Sequence, residues 1–331
     1  MRVGLVLGGG GLIGLGFHAG ALQALSERGV DVTGVDLIVG TSAGSIIASY
    51  LASGWEQESF FEYAHGRGHG AIVDPDEQRT EVARLFTPTW TTASERVRRL
   101  IGSGFAMVSA RGLWRVRPPA AFLRRAFPAG LYSMTETRLR LHEDLSDAWP
   151  ERGLIISAAE LYTGKRVAFG APGAPAANLP DAVLASISVP GVFPAVKIGS
   201  SHYIDGGVVS ATSLDLAAAA DCDAILCIAP LGYASDFPSP VRHPRSWSPM
   251  IVRRPFARSL NREVRAARAD GIAVLVIRPY LSDLHEWGTN FMRIHDRAAV
   301  AEAARRSAHR MLDERGPHTV IDALASRSTR T

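Results

Sequence analysis

The stretch LVLGGGGLIGLGFHAG, from Leu5 to Gly20, places an apolar run directly before four consecutive glycines. The apolar run belongs to a predicted buried strand, Arg2–Leu7, and apolar residues recur at helical spacing over a predicted helix, His18–Arg28. Glycine-rich corners between a strand and a helix hold phosphate groups in some proteins and developing oxyanions in others. The corner therefore predicts a site for negative charge and leaves two chemistries open.

The strand-then-helix pattern is repeated immediately after the corner. Val35–Gly40 is a second predicted buried strand, and Ser42–Gly54 is a second predicted helix that ends in glycine. This alternation predicts an α/β fold with a parallel sheet covered by helices. Later predicted elements are a hairpin, a helix that breaks at Pro190 and two more buried strands: Arg152–Leu161 with Lys165–Gly170, Asp181–Val196, Ala224–Leu231 and Ile272–Pro279.

The composition is that of a globular chain with a large core. The 331 residues are 47% hydrophobic and 21% charged, with a net charge of +4, which suits an anionic substrate or a membrane surface. The two cysteines, Cys222 and Cys227, form no metal or disulfide pattern and are interpreted as buried small hydrophobes. No secretory signal or spanning apolar run is visible, so we expect a cytoplasmic protein that touches membranes peripherally, if at all.

Residues Trp55–Pro150 differ from the rest of the chain. They are helical in pattern, and Thr91–Thr135 contains eight arginines against one acidic residue, Glu95. Residues 113–127, LWRVRPPAAFLRRAF, interleave basic and apolar side chains. Two interpretations stay open: a surface that contacts anionic lipid, or an ordinary solvated helical face. No recognised nucleic-acid module accompanies this charge, so we expect no nucleic-acid partner.

The sequence GTSAG, Gly40–Gly44, follows the second strand and opens the second helix. A serine on such a sharp turn has its hydroxyl pushed out of the sheet, and glycines two residues before and after it let the chain turn tightly. The helix N-terminus also favours negative charge developing near Ser42. The alternative is that Ser42 is a simple helix cap.

The glycine corner also has the formal pattern of a dinucleotide site, G-x-G-x-x-G, over Gly9–Gly14. That site expects an acidic residue at the end of the next strand, but Asp31 precedes the strand and Asp36 starts it. A third stretch, DGG at Asp205–Gly207, lies at a predicted strand end, and by itself it indicates only a turn. Among the histidines, His202 is the nearest candidate partner for a serine nucleophile.

Together these stretches resemble the patatin-like phospholipase family. The family's glycine-rich oxyanion loop, G-x-S-x-G elbow and D-G-G stretch appear here in the same order, as Gly9–Gly14, Gly40–Gly44 and Asp205–Gly207. ASISVPGVFPAV, Ala185–Val196, is similar to the family segment before the aspartate, with Ala195 in place of a proline. Ile13 stands where the family usually has arginine or lysine.

The resemblance implies a three-layer α/β/α fold with a central, mostly parallel sheet. It implies one catalytic domain over residues 1–312. Residues 55–150 match no family motif, and their own helical, arginine-rich pattern predicts a cap or lid inserted over the active-site end. Residues 313–331 are expected to be a polar C-terminal tail.

The resemblance also implies a mechanism without histidine, metal or cofactor. Ser42 would attack an ester carbonyl, Asp205 would accept its proton, and backbone N–H groups at Gly10, Gly11 and Leu12 would stabilise the oxyanion. The remaining implied site residues are the loop glycines, the elbow and supporting residues: Gly9, Gly14, Gly40, Thr41, Ala43, Gly44, Pro190, Phe193, Pro194, Gly206 and Gly207.

The implied function is that of a serine esterase that hydrolyses acyl lipids, of phospholipase A or lysophospholipase type. Three alternatives stay open. The same acyl-enzyme can transfer its acyl group to an acceptor other than water. The glycine corner can serve a nucleotide-dependent oxidoreductase. The chain can also be a non-catalytic relative.

Overall fold

The computed structural model describes residues 1–68, 71–72, 86–110, 129–234, 247–287, 290–291, 297–315 and 318–328. The strands are, in chain order, β1 (Val3–Leu7), β2 (Leu37–Thr41), β3 (Arg67–Gly68), β4 (Ala71–Ile72), β5 (Gly153–Glu160), β6 (Arg166–Phe169), β7 (Val196–Ile198), β8 (Ser201–Asp205), β9 (Ala224–Ile228) and β10 (Ala273–Ile277). The helices are α1 (Gly11–Ser26), α2 (Ala43–Ala52), α3 (Ser59–Ala64), α4 (Ala93–Ala110), α5 (Thr135–Asp144), α6 (Leu179–Ser186), α7 (Leu214–Ala218), α8 (Trp247–Ala269), α9 (Leu281–Trp287), α10 (Arg297–Arg315) and α11 (Thr319–Ser328).

The chain divides into two compact units. The first comprises Met1–Asp74, Pro150–Ile155 and Ser210–Thr331, and the second comprises Pro75–Trp149 and Ile156–Val209. The sheet has flanking helices, as the predicted three-layer α/β/α fold requires.

The first unit contains the parallel part of the sheet. β1 pairs in parallel with β2 on one side and with β9 on the other, and β10 pairs in parallel with β9. β1, β2 and β9 are buried along their whole length, which is why they appear in the sequence as unbroken apolar runs. In the β1–β2 register Leu7 lies opposite Gly40, so the glycine corner and the serine elbow leave the same edge of the sheet.

Helix α1 begins at Gly11, seven positions before the predicted start at His18. Glycine has low helix propensity, so the sequence pattern alone favours a loop here. Packing against α2, α3 and α10 supplies the stabilisation that propensity lacks.

The packing of α1 against α10 depends on glycine. A Cβ atom at Gly20 would lie 2.0 Å from the carbonyl oxygen of Ala301, and one at Gly16 would lie 2.9 Å from a methyl group of Val300. Since a real Cβ is not found so close to a backbone oxygen, the two helix backbones come nearer than any larger residue at Gly20 allows.

We predict that Gly20→Ala lowers the free energy of unfolding by about 2 kcal/mol. The gain in helix propensity is about 1 kcal/mol, and the overpacking against a backbone carbonyl exceeds it. Urea denaturation measures the difference. Gly34→Ala is the matched control, because nothing lies within 4 Å of a Cβ at Gly34. Equal stability of the Gly20→Ala and wild-type proteins would contradict the close helix contact.

The second unit contains antiparallel pairings. β5 pairs with β6 and with β8, and β7 pairs with β8, all antiparallel. The predicted hairpin around residues 162–164 is therefore confirmed, and the sheet contains both parallel and antiparallel pairings. Short connections, such as the two residues between β7 and β8, cannot join parallel neighbours.

Three further elements differ from the sequence pattern or extend it. Helix α6 ends at Ser186, before the predicted break at Pro190, since the helical conformation is disfavoured ahead of a proline. Part of the polar tail folds as α11, where Val320 and Leu324 are buried. Cys222 and Cys227 are free and buried, as expected.

The region 55–150 is described in part. Its described segments contain α3, α4 and α5 together with the short β3–β4 pair. Residues 113–127, the candidate lipid-contact segment, lie outside the described residues. Within the described parts of the chain, every helix is too short or too polar to cross a membrane.

Candidate active site

Ser42 sits on a strained turn between β2 and α2. Its backbone has φ 53° and ψ −125°, in a region that non-glycine residues rarely adopt. Ser45 restrains this turn, because its N–H and hydroxyl both donate to the Ser42 carbonyl, at 2.8 and 2.6 Å. Such strain costs roughly 1–3 kcal/mol and persists only where the surrounding structure imposes it.

Close backbone contacts impose the turn. A Cβ at Gly44 would lie 2.0 Å from the Leu7 carbonyl oxygen, and a Cβ at Gly40 would lie 2.6 Å from the Cα of Ser45. The two glycines of the predicted elbow are therefore required by geometry. Thr41, between them and fully buried, donates its hydroxyl to Ser213 at 3.3 Å.

The glycine corner contacts the serine directly. The N–H of Gly8 donates to Ile228, and that of Gly9 donates to Ala211, at 2.9 and 2.7 Å. A Cβ at Gly9 would lie only 3.1 Å from the Cβ of Ser42. The corner is thus held by backbone hydrogen bonds at a position next to the serine side chain.

Two N–H groups of the corner stay unpaired within the described part of the chain. They belong to Gly10 and Gly11, at the N-terminus of α1. The third predicted oxyanion donor, Leu12, already donates its N–H to the Phe291 carbonyl at 3.0 Å, and Ile13 makes a longer contact of 3.5 Å with the same oxygen. Gly10 and Gly11 are therefore the corner residues whose N–H groups have no acceptor among the described residues.

His18 supports the corner from inside α1. Its ring is fully buried, and its Nε2 lies 2.7 Å from the Gly8 carbonyl. Burial lowers the pKa of His18 to about 4, so the ring is neutral at neutral pH and Nε2–H donates to that carbonyl. Nothing in the neighbours of His18 along the chain indicates that it holds the corner.

We predict that His18 makes stability depend on pH. The pKa of His18 is lowered in the folded state, so its contribution is present above about pH 6.5 and is lost as pH falls towards 4. His18→Gln keeps a donor at the same reach but does not titrate. The wild-type free energy of unfolding, relative to that of His18→Gln, should fall by about 2 kcal/mol between about pH 7 and 5. A pH-independent difference in urea denaturation would show that His18 is not buried neutral.

Asp205 ends strand β8 in the second unit. Its side chain is 5% exposed and accepts a 2.7 Å hydrogen bond from the N–H of Gly207, within a short 3-10 turn over Gly206–Val208. Its own N–H donates to the Ser188 carbonyl at 3.0 Å. The D-G-G stretch is therefore a tight turn that holds the carboxylate.

The proposed supporting residues surround that turn. Pro190 and Phe193 form an isolated bridge, and the hydroxyl of Ser188 donates to the Pro194 carbonyl. Since the Ser188 carbonyl binds the N–H of Asp205, this loop positions the backbone of Asp205.

Asp36 is not available for a nucleotide. Its carboxylate accepts from the N–H of Val3 at 2.7 Å and pairs with Arg327 at 2.7 Å. These contacts lie where β1 and β2 begin, at the opposite strand ends from the glycine corner. A ribose bound at that corner would have no acidic partner from Asp36. Asp31 is also engaged, since it accepts from the N–H and hydroxyl of Thr33.

The family model for patatin-like phospholipase matches residues 5–218. The chain belongs to that family. The match contains the glycine corner, the elbow and the D-G-G turn, so the predicted family and fold are confirmed.

The chain matches parts of two curated relatives that are longer than it. A lysophospholipase of Candida glabrata, NTE1, is 48% identical over 59 residues, which are 18% of this chain and 3% of that protein. An NTE family protein of Mycobacterium tuberculosis is 26% identical over 227 residues, covering 68% of this chain and 30% of the relative. This chain therefore spans less than a third of the length of either relative.

Solved structures of bacterial proteins are more distant. VipD of Legionella pneumophila is 15% identical with a TM-score of 0.44, covering 95% of this chain and 67% of that one. ExoU of Pseudomonas aeruginosa, in its complex with SpcU, is 17% identical with a TM-score of 0.37, covering 99% and 58%.

Proposed function

We propose that this patatin-like protein is a serine esterase that hydrolyses acyl lipids, with Ser42 as nucleophile and Asp205 as general base. The observation that supports it most is the strained turn at Ser42, which places the serine against a glycine corner with two unpaired N–H groups. A serine that only caps a helix needs no such strain. The family membership and the lysophospholipase name of one relative also support lipid hydrolysis.

The proposed reaction proceeds through an acyl-enzyme. Asp205 takes the hydroxyl proton as the Oγ of Ser42 bonds to the ester carbonyl carbon, and the N–H groups of Gly10 and Gly11 stabilise the resulting oxyanion. The intermediate then expels the alcohol, which takes the proton from Asp205. Water attacks the acyl-enzyme in the same way and releases the fatty acid and Ser42.

The arrangement compensates for a weak base. A free aspartate has a pKa of roughly 4, far below that of a serine hydroxyl, so proton transfer is unfavourable unless charge on the substrate oxygen is stabilised. Oxyanion donors supply on the order of 3 kcal/mol each in acyl transfer. The positive end of the α2 dipole adds to this at Ser42 itself.

We predict that Ser42→Ala and Asp205→Asn each lower hydrolysis of a short acyl ester by at least about a thousandfold, since each removes a group that acts in both steps. Both proteins should keep the wild-type circular dichroism spectrum. Fluorophosphonate labelling followed by peptide mapping should modify Ser42 in the wild-type protein.

Two exposed residues provide matched controls. Ser42 directly precedes helix α2 and Ser53 directly follows it, while Asp147 lies in the same unit as Asp205. Ser53→Ala and Asp147→Asn should therefore leave the rate of hydrolysis unchanged. If Asp205→Asn kept full activity and the replacement of a histidine abolished it, the Ser42–Asp205 dyad would be wrong and a triad with that histidine would be right. Absence of labelling at Ser42 would refute the esterase proposal.

A further inference from the structure

Arg253, on helix α8, is a buried cation that has no counter-charge among the described residues. The side chain has 0% exposure, and no carboxylate in the described part of the chain forms an ion pair with it. Its Nη1 donates to the Pro230 carbonyl, while Nε and Nη2 have no hydrogen-bond partner. Burial lowers the pKa of Arg253 to about 10, so the group stays protonated at neutral pH.

An unpaired buried charge is costly, and proteins normally neutralise it with an anion or another ion. The two described groups that contact the Arg253 guanidinium are neutral. Its guanidinium lies 4.8 Å from the ring centroid of Phe291, and Pro230 supplies only a carbonyl. The structure therefore holds a donor group whose strongest partner, an oxyanion, is not one of the described side chains.

Both neighbours of Arg253 also contact the glycine corner. The carbonyl oxygen of Phe291 accepts the N–H groups of Leu12 and Ile13, in the first turn of α1. A Cβ at Gly10 would lie 2.8 Å from the Cβ of Pro230. Arg253 is thus one residue away from the N-terminus of α1, where partial positive charge and unpaired N–H groups already favour an anion.

The carbonyl oxygen of Phe291 occupies the position that an oxygen of a bound anion would take. This oxygen accepts the helix N–H groups, and the ring of Phe291 covers the guanidinium. A carbonyl is a neutral acceptor, whereas a phosphate oxygen forms the stronger charge-assisted bonds and can use the free nitrogens of Arg253 as well. Phe291 is half-buried and the adjacent Asn290 is exposed, so this position is close to solvent.

We propose that Arg253 and the N-terminus of α1 form a subsite for a phosphate oxyanion beside Ser42, in which a phosphate oxygen replaces the Phe291 carbonyl. This inference rests on the proposed esterase function and adds that Arg253 is the residue that distinguishes an ester with a phosphate near its alcohol from a neutral one. The phosphate comes from the head group of the substrate or from free phosphate.

A matched pair of substrates tests the head-group source. Monooctanoyl glycerol and monooctanoyl glycerol phosphate differ only in the phosphate group. Arg253→Met should raise KM for the phosphate ester by roughly ten- to hundredfold and leave kcat and the neutral ester nearly unchanged. Arg253→Lys should restore part of the loss. Arg254→Met is the matched control, because Arg254 is exposed on the same helix and should affect neither substrate.

Thermal melting with inorganic phosphate tests the free-phosphate source and needs no turnover. Phosphate should raise the Tm of Ser42→Ala protein, and this rise should vanish in the Ser42→Ala, Arg253→Met double variant. Without phosphate, Arg253→Met should differ little in stability from wild type, since removing a buried unpaired charge offsets the lost hydrogen bond to Pro230. If Arg253→Met raises KM for the phosphate ester but inorganic phosphate does not raise the Tm, the subsite binds the head group of the substrate and not free phosphate.

The two proposals fail separately. An equal loss on both esters, with a lower Tm and no phosphate effect, would show that Arg253 only holds Pro230 and would overturn the subsite. Absence of hydrolysis of either ester by the wild-type protein would overturn the esterase function, and the melting experiment would still decide the anion subsite.

Discussion

The Leu7 carbonyl at the end of β1 approaches Gly44 so closely that a Cβ there would lie 2.0 Å from it. This backbone contact brings the glycine corner and the serine elbow together. The parallel pairing of β1 with β2 places both turns at one edge of the sheet. The close approach of Leu7 to Gly44 then requires a strained backbone conformation in the elbow. The positive φ of Ser42 is the consequence.

Two buried polar side chains lie next to the corner. Neutral His18 donates to the Gly8 carbonyl, and Arg253 donates to the Pro230 carbonyl. A buried histidine with a lowered pKa gives up its charge, whereas a buried arginine keeps it. The first residue therefore serves as a support, and the second leaves positive charge beside the corner that an anion can use.

Local sequence signals predicted much of the candidate site. GTSAG combines residue types that only a tight strand-to-helix turn requires, and apolar runs such as Val35–Gly40 have the length and composition of buried strands. The hairpin of β5 and β6 was equally visible, because its turn residues lie between two short strands. The start of α1 could not be predicted from the sequence, since the low helix propensity of glycine favours a loop where packing against α10 imposes a helix.

The sequence by itself determined the family, the α/β class and the order of the glycine corner, the elbow and the D-G-G turn, because each depends on residues adjacent in the chain. Only the tertiary structure decided which donors of the corner are occupied. The Leu12 N–H meets a carbonyl from Phe291, and Arg253 reaches the same region from a distant helix. Backbone carbonyls are the same in every residue, and burial without a partner depends on what packs nearby, so neither leaves a local pattern in the sequence.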